Sequence, residues 1–238
     1  GNHDGTVIVS AGSGALDTHL GIGLFDDLGD FNRDGVADEI QFAPVAAGQG
    51  SVTLTGGTFT ESWVQIGHGG FVSGDTSGSA STMGGQVGVA ANGNITLQGG
   101  GFSAATGTNA ATYTFTQIGH GGLENNMNMT LWGDISVVSQ TGKLSVLAGN
   151  GSEAYSLVGH GSLRNTVTNV PSGSRTGDIY IEAGSWSVVP VGTTGQARIG
   201  HRSQSANNGL TNGNSFSMVG NGGDGTSSYL IDAALAPF

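Results

Sequence analysis

One five-residue phrase returns along this chain. It reads Ile66-Gly67-His68-Gly69-Gly70, then Ile118-Gly119-His120-Gly121-Gly122, Val158-Gly159-His160-Gly161-Ser162 and Ile199-Gly200-His201-Arg202-Ser203. A worn copy follows at Val219-Gly220-Asn221-Gly222-Gly223. The histidines lie 52, 40 and 41 residues apart, and Asn221 comes 20 later. These intervals predict a unit of roughly 20 residues, sometimes counted twice, which is the range in which self-similarity marks stacked repeats. Nothing else restricts the fold as much, because each repeat must bury its apolar face against the next.

The text upstream of the phrase repeats as well. Asn94-Ile95-Thr96-Leu97, Asp134-Ile135-Ser136-Val137 and Asp178-Ile179-Tyr180-Ile181 each follow a glycine and alternate apolar with polar. Ser51-Val52-Thr53-Leu54 and Lys143-Leu144-Ser145-Val146 are variants. Period-two alternation with β-branched and aromatic residues signals strands, and the intervening glycines signal turns. Short strands joined by glycine corners predict an all-β fold, a parallel β-helix or β-solenoid, whose inward Ile, Val and Leu stack into one apolar column. Glycine at a corner supplies positive φ without a Cβ clash.

Glycine accounts for 46 of the 238 residues, far above the usual ~7%. With only 4 prolines and no G-x-y period, collagen is excluded. The whole chain, 1–238, reads as a single domain. Net charge is −11 with 6 Lys+Arg, which argues against nucleic acid, whose affinity comes from neutralised phosphates, and against an anionic membrane surface. No run approaches the ~18 apolar residues of a transmembrane helix. Cysteine is absent, so there is no disulfide or thiolate site. The chain opens on Gly1 rather than Met, so a processed or trimmed N-terminus is expected. Richness in Gly, Ser, Thr and Asn with little Lys is the composition of secreted or surface proteins.

Residues 26–39 break the pattern with the only dense charge cluster. Asp30, Asn32, Asp34 and Asp38 occupy offsets 1, 3, 5 and 9, with Gly35 at 6 and Val36 at 7. In calcium loops alternate oxygens surround one cation, a backbone carbonyl serves at offset 7, and the glycine permits the tight turn. Offset 12 is Gln41 rather than a bidentate Glu, so the stretch is closer to short DxNxDGxxD loops than to an EF-hand. Three readings stand: a Ca2+ site formed by Asp30, Asn32, Asp34, Val36 and Asp38, a solvated acidic turn between coils, or, least favoured, a catalytic carboxylate pair. Further along, residues 71–92 read as a Gly/Ser/Thr-rich surface excursion. Similar excursions follow the phrase at 123–130, 163–176 and 203–213, which predicts loops on one side of the stack.

Four of the six histidines, His68, His120, His160 and His201, sit at the repeated corner. Stacked coils would set such rings about 4.8 Å apart. That spacing suits either a metal ladder or a packed ladder of identical side chains. The phrase has only Gly, Ser and Arg near the ring, so packing is the expected role. If a histidine-free coil intervenes between copies, the spacing rises to about 10 Å, twice the strand separation.

Catalysis finds no support. No nucleophile elbow or phosphate loop is present, the only lysine is Lys143, and the arginines are scattered. A non-enzymatic role is expected. Trp63, Trp132 and Trp186 leave open a carbohydrate-binding or polysaccharide-cleaving β-helix as the alternative, although packing roles are equally available to them.

The pattern Gly133-Asp134-Ile135-Ser136-Val137 with Ala154-Tyr155-Ser156-Leu157-Val158-Gly159-His160-Gly161, and its counterpart from Gly93-Asn94-Ile95 through Gly122, resembles the repeats of large secreted bacterial proteins. These are similar to filamentous haemagglutinins and autotransporter passengers. The resemblance covers roughly residues 50–223. It implies a right-handed parallel β-helix, an extracellular or cell-surface location, and a role as a stalk, adhesin or fibre; a glycan or a host or cell-surface molecule is the partner such a role leaves open. It carries no catalytic residues. A short solenoid has two open ends with unpaired backbone groups. Head-to-tail self-association into a filament would satisfy them, with Val7–Val9 and Tyr229–Ile231 at the junction.

Overall fold

The computed structural model describes residues 3–5, 7–11, 16–17, 39–40, 50–73, 81–101, 113–125, 129–150, 154–164, 174–190, 195–201, 216–219 and 229–233. Among these there is no helix. The chain is all-β, and its described strands pair in parallel with one exception.

The strands fall into successive passes through the same sheets. The first pass holds β1 (His3–Asp4), β2 (Val7–Ala11), an antiparallel pair β3 (Leu16–Asp17) and β4 (Glu39–Ile40), then β5 (Val52–Thr55), β6 (Trp63–Ile66) and β7 (Gly69–Ser73). The second holds β8 (Ser81–Gly84), β9 (Val87–Ala91), β10 (Ile95–Gln98), β11 (Phe115–Ile118) and β12 (Gly121–Asn125). The third holds β13 (Met129–Trp132), β14 (Ile135–Leu147), β15 (Tyr155–Val158) and β16 (Gly161–Arg164). The fourth holds β17 (Arg175–Thr176), β18 (Ile179–Val189) and β19 (Gln196–Ile199), and is followed by β20 (Phe216–Val219) and β21 (Tyr229–Ala233).

Sheets assemble across passes. One runs β1-β8-β13-β17, another β20-β19-β15-β11-β6, and a third β16-β12-β7. The largest joins β2, β9, β14, β10 and β5, with β18 on β14 and β21 on β18. The long strand β14 spans two strands of the pass before it: Ile135–Ser139 lie beside β9, and Leu144–Leu147 beside β10. The worn phrase at Val219 is in register with the fourth copy, since β20 pairs with β19 and Ile199 faces Val219.

Two expectations are corrected here. The unit is a whole pass, not 20 residues: the phrase-bearing strands β6, β11, β15 and β19 are direct neighbours, with Ile66, Ile118, Val158 and Ile199 in register. No histidine-free pass separates them, and the length differences are taken up between strands. Only β20 follows its neighbour after about 20 residues, the interval at which Phe216 faces Gln196. Second, residues 71–92 are not one surface excursion. Ser81–Gly84 and Val87–Ala91 are strands, and β9 is buried throughout. Residues 71–73 end strand β7, and 74–80 lie outside the described residues, as do 165–173 and 203–213 of the other expected excursions; 123–130 is not an excursion either, since 123–125 end β12 and 129–130 begin β13.

Alternation places the core. In β5 and β10 every second residue points inward, giving Val52, Leu54, Ile95 and Leu97. These join Val87, Val89, Ile135, Val137, Leu144, Val146, Ile179 and Ile181 in one continuous cluster. Each such side chain contributes about 1.5–3 kcal/mol on full burial. In β11, β15 and β19 both faces are buried. Ile118, Val158 and Ile199 belong to the main core, while Phe115, Tyr155 and Leu157 form a separate cluster. The side chains of residues 115 and 118 leave opposite faces of one strand, as the two-residue period requires.

Candidate functional site

The site grows out of the corner after β6, β11, β15 and β19. Gly67, Gly119 and Gly200 have φ near 135° (136, 134 and 134), a conformation that L side chains avoid. A Cβ on Gly119 would also run into the carbonyl of Gly159 in the next pass. The corner rotates the peptide groups out of the sheet, so the regular ladder is interrupted at the histidine. Gly119 and Gly159 still donate to the carbonyls of Ile66 and Ile118, both at 2.9 Å. On the far side Gly121 and Gly161 donate to His68 and His120, at 2.9 and 3.0 Å. The histidine amide and the glycine carbonyl between these bonds are left to side chains.

Imidazole supplies the acceptor. The amide of His68 donates to Nδ1 of His120 at 3.0 Å, that of His120 to Nδ1 of His160 at 2.9 Å, and that of His160 to Nδ1 of His201 at 3.0 Å. An amide can only donate, so each of these Nδ1 atoms is unprotonated and the proton sits on Nε2. That Nε2–H reaches across the same pass to a glycine carbonyl beyond the first strand. His68 bonds Gly5 at 3.0 Å, His120 bonds Gly85 at 2.8 Å, His160 bonds Gly133 at 2.7 Å and His201 bonds Gly177 at 2.8 Å. Each of His120, His160 and His201 is therefore a tie between passes and a strut within its own. A ring so engaged has no lone pair left for a metal ion.

The rings stack face to face, with centroids 5.0, 4.8 and 4.7 Å apart and planes within 10°, 6° and 8° of parallel. This is the one-pass spacing; the 10 Å alternative is ruled out because the phrases lie on adjacent passes. His120, His160 and His201 are buried. Burial, assisted by the neighbouring ring of His68, pushes His120 down to about 4 against the pull of the Gly85 carbonyl. His160 is lowered well below its ordinary value, first by burial and then by His201 and His120. His201 is lowered by burial, with the Gly177 carbonyl opposing.

Glutamine supplies the donor. Nε2 of Gln65 bonds the carbonyls of Gly119 at 2.9 Å and His68 at 3.0 Å. Gln117 does the same one pass on, to His120 at 3.0 Å, Gly159 at 3.1 Å and Gly161 at 3.2 Å. Leu157 and Arg198 occupy the equivalent positions in the later passes, and Nη2 of Arg198 caps the carbonyl of His201 at 2.7 Å. The sequence places Gln65 and Gln117 in matching positions before the phrase, and sequence reasoning assigned them no role. That recurrence was the available signal.

Of the remaining candidate residues Trp63 alone reaches this corner, its ring lying against Gly70 of the first phrase. Trp63 stacks on Phe115 at 5.6 Å, and Phe115 on Tyr155 at 4.9 Å. Trp132 is half-buried beside the Gly84 backbone, and Trp186 lies exposed over Leu144 at the far end of the stack. The three tryptophans stand on three strands of three different sheets. Asp30, Asn32, Asp34, Val36 and Asp38 lie outside the described residues, between β3 and β4, which among the described residues pair only with each other. Among the described residues no group of three or more His, Cys, Asp or Glu converges on a point. No family model, curated protein or solved structure matches the chain.

Proposed function

We propose that the chain is a right-handed parallel β-solenoid that serves as an extracellular structural element, a segment of a cell-surface fibre or adhesin that stacks end to end. The observation that carries the reading is the use of its most repeated polar side chain. The histidines are spent on holding passes together, with ring nitrogens turned to the chain's own backbone. That is the chemistry of a scaffold rather than of a reaction centre.

Apolar exposure supports the end-to-end part. Among the described residues the exposed large apolar side chains are Phe59, Trp63 and Val64 on the first pass, and Trp186 and Val189 on the fourth. The described residues of the middle passes have none. The strands expected at the junction, Val7–Ala11 and Tyr229–Ala233, each pair on one side only among the described residues. Open edges with apolar borders favour addition of another chain.

Electron microscopy and sedimentation velocity over a concentration series test this. The expected outcome is rods of constant width whose length grows with concentration. Dispersed monomers at the highest concentration would overturn the assembly, and binding on a glycan array or release of reducing sugar would favour the carbohydrate-directed alternative.

A further inference from the structure

We propose that the histidine column is an acid-sensitive latch, in which neutral rings lock successive passes together and protonation of the buried rings releases them. The inference does not depend on assembly into fibres, since all of its contacts lie within one chain.

The geometry allows each inner ring one protonation state. Nδ1 of His120, His160 and His201 faces an amide N–H at 2.9–3.0 Å, and Nε2 faces a carbonyl at 2.7–2.8 Å. A proton on Nδ1 would set two donors against each other and remove the tie to the preceding pass. It would also place a cation 4.7–5.0 Å from the next ring, so a second protonation would meet the charge of the first. Among the described residues the surroundings do not compensate. Arg175 and Arg198 add positive charge near His201, and Arg175 does so near His160. The charged group with the opposite sense is Asp178, beside His201, and it acts more weakly than burial and both arginines.

The direction of the pH effect follows. Folded-state values for these three rings lie below the unfolded value of 6.5, with His120 near 4. Between those limits the unfolded chain binds more protons than the folded one. Stability is therefore full above about pH 6.5 and falls as pH drops through the window toward 4. Ordinary carboxylates titrate near the bottom of this window, about 3.9–4.3, so its upper half reports histidine.

Urea unfolding of the whole chain between about pH 7.5 and 5, followed by tryptophan fluorescence, tests the latch. Each ring contributes up to about tenfold per pH unit to the unfolding constant. Three rings acting together should raise it at least about a hundredfold between pH 6 and 5. Histidine C2–H exchange read by mass spectrometry should show His120, His160 and His201 protected at pH 7 and released together with unfolding. His160→Asn removes one titrating ring and should reduce the slope by about one proton, with the wild-type slope deciding the matter if the variant does not fold. An unfolding constant that is flat down to pH 5, or that rises only below about 4.5, would overturn the proposal. So would ordinary exchange midpoints near 6.5 at the three rings.

Discussion

Two columns of side chains climb the same part of the molecule. One is His68, His120, His160 and His201; the other is Trp63, Phe115, Tyr155 and Gln196, in register at the start of β6, β11, β15 and β19. Both stack at close to one pass spacing, yet one repeats a single residue and the other changes at every pass. The difference lies in what the neighbours ask for. Each of His120, His160 and His201 accepts from the amide of the preceding pass and donates across its own, and the rigid ring holds both nitrogens in place for this. The other column asks chiefly for flat area to stack on, which Trp63, Phe115 and Tyr155 all supply, and it ends on Gln196.

The harshest way to break the contrast is to remove the corner that both columns share. Gly119→Ala combines a positive φ with a Cβ directed at the Gly159 carbonyl. It should cost more than about 4 kcal/mol and abolish the cooperative transition, as read by urea unfolding. Next come single residues from each column. His160→Ala leaves the His120 amide and the Gly133 carbonyl without their partners, a loss of roughly 3–5 kcal/mol. Phe115→Leu keeps apolar volume and forfeits only stacking, about 1–1.5 kcal/mol. Similar costs for the two would dissolve the distinction.

The smallest effects sharpen it. The Tyr155 hydroxyl donates to Oε1 of Gln117 at 3.2 Å. One pass earlier Phe115 has no hydroxyl, and Oε1 of Gln65 is buried without a partner. Phe115→Tyr should therefore stabilise the chain by about 1 kcal/mol, and Tyr155→Phe should destabilise it by a similar amount. Matched unfolding curves check both, and a neutral Phe115→Tyr would show that the aromatic column takes no part in satisfying the corner.

Much of the local design is legible in the residues. The alternation in Val52–Leu54 and Ile95–Leu97 predicted strands with those side chains inward, and the glycines flanking the histidine predicted a corner. What was misread was the interval. Residues 81–91 looked like a loop because Gly84, Gly85 and Gly88 dilute the pattern, yet Met83, Val87 and Val89 are buried. Gly84 takes its place because Trp132 of the next pass lies against its backbone. Nothing near residue 84 in the chain announces that neighbour.

The sequence by itself determined the short strands, the glycine corners and the identity of the side chain stationed at each corner, because these follow from backbone sterics and a two-residue period. Only the tertiary structure decided which copies touch. An interval of 40 residues can be one pass or two without altering any local pattern, and the choice rests on bonds such as His120 to Gly85 and Gln117 to Gly159, 35 and 42 residues apart. Those bonds form only when sheets from distant stretches close on the same corner. The tautomers of His120, His160 and His201 are set there, by partners that no local stretch of the chain contains.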